Sequence, residues 1–359
     1  MNKDNKWTMI TALFITVISV LLAFHLKQHY DQITNENHAN KDKINIKNKN
    51  VRIYQNLTYN RVFPNSKLDI ITPVDMSSNA KLPVIFWMHG GGYIAGDKQY
   101  KNPLLAKIAE QGYIVVNVNY ALAPQYKYPT PLIQMNQATQ FIKENKMNLP
   151  IDFNQVIIGG DSAGAQLASQ FTAIQTNDRL REAMKFDQSF KPSQIKGAIL
   201  FGGFYNMQTV RETEFPRIQL FMKSYTGEED WEKSFKNISQ MSTVKQSTKN
   251  YPPTFLSVGD SDPFESQNIE FSKKLQELNV PVDTLFYDGT HHLHHQYQFH
   301  LNKPESIDNI KKVLLFLSRN TSSSGIQTEE KPQMENPSNE LPLNPSHFNI
   351  ICFFIVWIF

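Results

Sequence analysis

The stretch Val156 to Gln175, VIIGGDSAGAQLASQFTAIQ, runs from a short β-branched segment through a serine with glycine two places before and two places after it, into a helix-forming segment. A serine at a sharp strand-to-helix turn has strained backbone angles. Its neighbours at those two positions must lack side chains to avoid collision, which accounts for Gly160 and Gly164 around Ser162. Such a turn lifts the hydroxyl above the C-terminal edge of a sheet, with the positive end of the following helix beneath it. A phosphate-binding turn is the alternative, but the dinucleotide pattern G-x-G-x-x-G fails: Asp161 and Ser162 stand where its middle glycine belongs.

Outward from this turn, residues 51 to 319 alternate short β-rich runs with longer helical ones, the pattern of an α/β fold with a mostly parallel sheet flanked by helices. Eight strands are predicted: Val51 to Tyr59, Leu68 to Thr72, Val84 to Met88, Ile114 to Asn119, Val156 to Ile158, Gly197 to Phe201, Thr254 to Val258 and Val282 to Tyr287. The unbroken apolar runs VIFWM, IVVNV, VII and AILF suit central strands buried on both faces, and the first two strands suit an antiparallel edge. Helices are predicted over 102–111, 131–146, 163–176, 266–278 and 305–318. Residues 203–250 break the rhythm and read as a cap-like insertion over a site. Its Phe204, Tyr205, Phe215, Phe221, Tyr225 and Trp231 are candidates for an acyl-pocket wall, with core packing as the alternative.

Directly after the run VIFWM comes His89-Gly90-Gly91-Gly92. Consecutive glycines let backbone N–H groups converge on one point, where a tetrahedral intermediate would place its negative oxygen. Gly91 and Gly92 are the expected donors, joined by the N–H of Ala163 beside the serine. A hydroxyl at neutral pH needs a base, and the base needs an acid to hold its tautomer. The acid candidates lie in Gly259-Asp260-Ser261-Asp262-Pro263; Asp262 is preferred because the following proline fixes the loop, and Asp260 is second. The base comes from YDGTHHLHHQYQF, where His291, His292, His294 and His295 compete. Those four histidines lack a nearby Cys or a helical H-x3-H partner, so no metal or other cofactor is expected.

Strand-HGGG, strand-GDSAG, strand-Asp-Pro and strand-His in that order resemble the α/β-hydrolase fold, and HGGG with GDSAG resembles the hormone-sensitive-lipase-like esterases and their carboxylesterase relatives. Leu68-Asp69-Ile70 and Tyr120-Ala121-Leu122-Ala123-Pro124 add to the likeness. The resemblance implies a hydrolase of small carboxylic esters with Ser162 as nucleophile, Asp262 as acid, and Gly91, Gly92 and Ala163 as oxyanion donors. For the base, family spacing from Asp-Pro to a G-x-x-His turn points to His292, while Leu293 to Phe299 resembles an L-P-H-E-Y-Q-F segment and points to His295; His295 is preferred and His292 is the alternative. Two departures stand out: Ala121 follows Tyr120 where relatives often have Arg, and Gln134 and Gln137 occupy a helix where Asp is common. The rival readings are a binding module that has lost turnover and a peptidase or amidase on the same fold.

The ends of the chain have another character. Residues 7 to 26, WTMITALFITVISVLLAFHL, contain no Asp, Glu, Lys or Arg; at about 1.5 Å per residue a helix there matches the roughly 30 Å of bilayer hydrocarbon. Residues 1–27 therefore read as a transmembrane anchor. The short lysine-containing tail before it is expected to stay inside, leaving the catalytic domain exported. Residues 28–50 read as a flexible stalk and 320–359 as a disordered linker with a short apolar tail, HFNIICFFIVWIF, to which no role is assigned. The sole cysteine, Cys352, rules out an intrachain disulfide, and 36 Lys plus Arg against 33 Asp plus Glu leave too small a positive excess for a nucleic-acid partner. Oligomeric state is not legible.

Overall fold

In the computed structural model, residues 50–76, 81–144 and 147–322 are described. The anchor read at 1–27, the stalk up to residue 49 and the tail from 323 onward lie outside the described residues. Among those described, no helix is long and apolar enough to cross a membrane.

Eight strands form one sheet: β1 (Val51–Thr58), β2 (Lys67–Pro73), β3 (Leu82–Met88), β4 (Ile114–Val118), β5 (Ile151–Asp161), β6 (Ile195–Phe201), β7 (Thr254–Ser257) and β8 (Val282–Leu285), in spatial order β1-β2-β4-β3-β5-β6-β7-β8. The first two strands form the antiparallel edge that their sequence suggests. β2 runs antiparallel to both β1 and β4, so β1 points the same way as the parallel set from β4 to β8. Every residue of β3 and β4 is buried, as their unbroken apolar runs require. β5 begins five residues before the apolar run, because Ile151 and Asp152 pair with Leu82 and Pro83 ahead of a register shift. Asp152, Asn154 and Gln155 hide that first half from a reading based on hydrophobicity.

The longer helices are α1 (Asn102–Ala109), α2 (Thr130–Lys143), α3 (Ala163–Thr176), α4 (Asp178–Met184), α5 (Ile218–Thr226), α6 (Glu265–Glu277) and α7 (Pro304–Asn320). α4 and α5 have no counterpart in the pattern read from sequence. α3 is buried along its whole length, which its small residues permit and its polar ones survive by pairing. Gln166 accepts from Tyr93 Oη (2.9 Å) and donates to the Met241 carbonyl (3.0 Å), and Ser169 Oγ meets Thr243 Oγ1 at 2.7 Å. Met241 and Thr243 belong to the stretch between β6 and β7, which holds α5 and the one-turn helices Trp231–Ser234, Ile238–Met241 and Thr243–Gln246. That stretch lies across the helix that begins at Ser162.

Two side chains noted in the sequence, Asp69 and Gln134, hold connections of the fold in place. Asp69 is buried on β2 and takes an ion pair from Lys98 (2.9 Å), a bond from Asn102 Nδ2 (2.8 Å) and the N–H of Asn56 (2.8 Å), tying the segment after HGGG to the sheet. Gln134 accepts the Ala121 N–H at 2.7 Å and donates to Ser66 Oγ at 3.0 Å, so the carboxamide holds both the turn after β4 and the β1–β2 connection. A carboxylate could only accept.

Candidate active site

Strands β3, β5, β7 and β8 each end at the same edge of the sheet, within five neighbouring places of its order. Strands lie about 4.8 Å apart, so side chains on their exit loops can meet although they are far apart in sequence. Ser162 follows β5 with φ 54° and ψ −125°, a strained conformation of a kind that costs about 1–3 kcal/mol and is concentrated at functional sites. The turn is fixed from below: Ser162 N–H donates to the Phe201 carbonyl at 2.8 Å. The glycines meet their predicted need by close approach. A Cβ on Gly160 would lie 2.3 Å from the Gly164 carbonyl oxygen, and one on Gly164 would lie 2.1 Å from that of Met88.

His295 Nε2 lies 2.9 Å from Ser162 Oγ, and its Nδ1 lies 2.7 Å from Asp262 Oδ2. The Asp262 side chain is 1% exposed and the His295 ring 22%, so the carboxylate is sealed while the imidazole retains an open face. Asp262 Oδ1 accepts the Phe264 N–H at 3.0 Å, which orients the carboxylate from its own loop. Two rings hold the imidazole edge-on, Phe215 with centroids 4.7 Å apart and Phe264 at 5.5 Å.

The other candidates are placed elsewhere. His292, the alternative base, is exposed on a residue with φ 52°, and it is His295 whose ring meets Ser162. His291 is exposed and faces Glu305 at 3.3 Å; His294 is exposed as well. Asp260, the second acid candidate, accepts the N–H groups of Leu293 (2.6 Å) and His291 (2.8 Å). Burial raises its pKa, but these backbone donors outweigh that and leave the carboxyl below the usual range. Its work is to shape the histidine loop. Among the described residues, no group of three or more His, Cys, Asp or Glu could hold a metal ion.

The HGGG turn crosses in front of Ser162. His89 is buried and stacked on Tyr120 at 4.4 Å; burial lowers its pKa, and Nδ1 donates to the Gly90 carbonyl at 2.7 Å. Gly91 and Gly92 have φ of 126° and 60°. Among the described residues, no acceptor takes the N–H of Gly91, Gly92 or Ala163. Phe221 of α5 lies over this turn, its ring 2.6 Å from where a Cβ on Gly92 would stand. The insertion thus divides: Phe215 and Phe221 border the site, while Phe204, Tyr205, Tyr225 and Trp231 are buried in the core.

Sequence reasoning missed Asp161 and Lys101. Asp161 Oδ2 accepts the Gly90 N–H at 3.0 Å, Oδ1 accepts Trp87 Nε1–H at 3.0 Å, and Lys101 Nζ pairs with Oδ2 at 2.7 Å. Its place next to the serine was the available signal.

Three kinds of likeness bear on this arrangement. Residues 85–296 match a family described as alpha/beta hydrolase fold. Esterase LipQ of Mycobacterium tuberculosis is 27% identical over 236 residues, 64% of this chain and 54% of its own length; Esterase LipI of the same organism is 26% identical over 215 residues, 60% of this chain and 66% of its own. The chain therefore spans between about half and two-thirds of the length of these relatives. Among solved structures, esterase B from Lactobacillus Rhamnosis superposes with a TM-score of 0.70 at 20% identity, covering 82% of this chain and 93% of that one. The same enzyme inhibited by a tributyrin phosphonate gives 0.68 at 22% identity, with 82% and 93% covered. With a serine turn, an HGGG turn and an eight-stranded sheet in this order, and with more than half of its length matched, the chain belongs to the alpha/beta hydrolase fold family.

Proposed function

We propose that the chain hydrolyses small carboxylic esters through an acyl-enzyme. The observation that carries this reading is the continuous path Ser162 Oγ to His295 Nε2, 2.9 Å, and His295 Nδ1 to Asp262 Oδ2, 2.7 Å, on one sheet edge. Ser162 Oγ attacks the ester carbonyl as His295 takes its proton, and Asp262 keeps the imidazole in the accepting tautomer and stabilises the imidazolium. The carbonyl oxygen becomes an oxyanion facing the free N–H groups of Gly91, Gly92 and Ala163, each such donor being worth about 3 kcal/mol in the transition state. His295 then protonates the leaving alcohol, and a water activated by the same imidazole cleaves the acyl-enzyme. Similarity to LipQ, LipI and esterase B supports an ester as the substrate class.

The test is covalent as well as kinetic. The protein should turn over a short-chain p-nitrophenyl ester, and an alkyl phosphonate should abolish that turnover while adding one phosphonyl mass to the peptide containing Ser162. Turnover that survives complete labelling, or a label on any other residue, would refute the assignment.

We further propose that residues 7–26 anchor this domain in a membrane with its body exported, a reading supported by the length and charge-free composition of that run. Protease added to intact cells should digest residues 51–322. Digestion confined to lysed cells would reverse the side.

A further inference from the structure

We propose that Lys101 is a positioning residue whose charge cancels that of Asp161 and thereby keeps the HGGG turn able to receive an oxyanion. The inference rests on the ester-hydrolase reading above. Asp161 precedes Ser162 and bonds the N–H of Gly90, the residue directly before the two expected oxyanion donors. Its side chain is 1% exposed and that of Lys101 16%, so solvent contributes little screening and the lysine is the close counter-charge. An uncompensated carboxylate there would oppose the negative charge that develops on the substrate carbonyl.

Lys101 reaches three parts of the site together. Nζ is 2.7 Å from Asp161 Oδ2 and lies 3.9 Å from the ring centroid of Phe299, in the turn that follows the histidine loop. Phe299 in turn packs edge-on against Phe201 at 6.2 Å, and the Phe201 carbonyl accepts the Ser162 N–H. One ammonium group is therefore shared by the oxyanion side, the nucleophile turn and the base loop. Other titratable groups facing this cluster are His89, which feels Asp161, Lys101 and Asp97, Tyr120, which stacks on His89 and feels Asp161, and Asp262, which pairs with His295; all of these stay in place in the variants below.

Three substitutions separate charge from hydrogen bonding. Lys101→Met removes both, Lys101→Gln keeps a donor for Asp161 without the charge, and Lys101→Arg keeps both. On a short-chain p-nitrophenyl ester, Lys101→Met and Lys101→Gln should each lose about tenfold to a hundredfold in kcat with KM little changed. Lys101→Arg should restore the rate. If Lys101→Met fails to fold by circular dichroism, Lys101→Gln decides. A kcat within twofold of the parent, a loss carried by KM instead of kcat, or a Lys101→Arg variant as slow as Lys101→Met, would overturn the proposal while leaving the ester-hydrolase reading intact. A folded parent with no Ser162-dependent turnover would overturn both.

Discussion

Ser162→Ala and His295→Ala should each lower kcat on a p-nitrophenyl ester by about a millionfold, and the double variant should lose no more than either alone. A nucleophile and its base act as one unit: with Oγ gone the imidazole has no proton to take, and with the ring gone the hydroxyl remains a neutral alcohol. The 2.9 Å contact between them is the geometric reason to expect this non-additivity. His292→Ala is the control within the same loop. Its residue is exposed, and the ring that meets Ser162 is that of His295, so kcat should stay within a few-fold of the parent. The measurement is steady-state kinetics on the parent and the four variants, with circular dichroism to confirm folding. Comparable losses for His292→Ala and His295→Ala, or multiplicative losses for Ser162→Ala with His295→Ala, would remove the basis of the mechanism.

That pair of histidines also shows where a sequence stops being informative. The serine turn is legible because it is local: the glycines at 160 and 164 exist to let backbone atoms approach to distances no side chain permits, and that need is written within five residues. The same holds for the parallel core, where VIFWM and IVVNV can be buried only on both faces. Four histidines within five residues carry identical chemistry, and only the path of their loop separates them. That path is set by partners over thirty residues upstream. Asp260 holds the N–H groups of His291 and Leu293, Leu293 is buried at 3% exposure, and the Leu293 carbonyl accepts the Ser261 N–H at 3.0 Å. Lys101 was hidden for a related reason. In the run Lys98-Gln99-Tyr100-Lys101 it reads as an exposed charge, yet Lys98 and Lys101 pair with Asp69 and Asp161 from different strands. The aromatic insertion divides in the same way, because composition cannot say which rings face the site.

Asp262→Asn should cost about ten-thousandfold in kcat, whereas Asp260→Asn should cost little at neutral pH. The two carboxylates are two residues apart and do different work. Asp262 Oδ2 accepts from His295 Nδ1, which forces the ring proton onto that nitrogen and leaves Nε2 free to accept from Ser162. An asparagine that turns its N–H toward Nδ1 selects the opposite tautomer, whose Nε2 proton points at a hydroxyl it can no longer deprotonate. Asp260 accepts only backbone N–H groups, and an asparagine oxygen can still take one of them, so the loop keeps part of its shape. Its effect should appear in acid. The native-state donors hold the Asp260 carboxyl below its unfolded value, so the stabilisation is present above about pH 4 and is lost as pH falls through the lower folded value. Melting curves of the parent should therefore steepen their decline below about pH 4 relative to Asp260→Asn, which lacks the titrating group. If Asp262→Asn retained more than a tenth of parental kcat, the imidazole would not depend on that carboxylate for its tautomer, and Asp262 would be no more than a loop-capping residue.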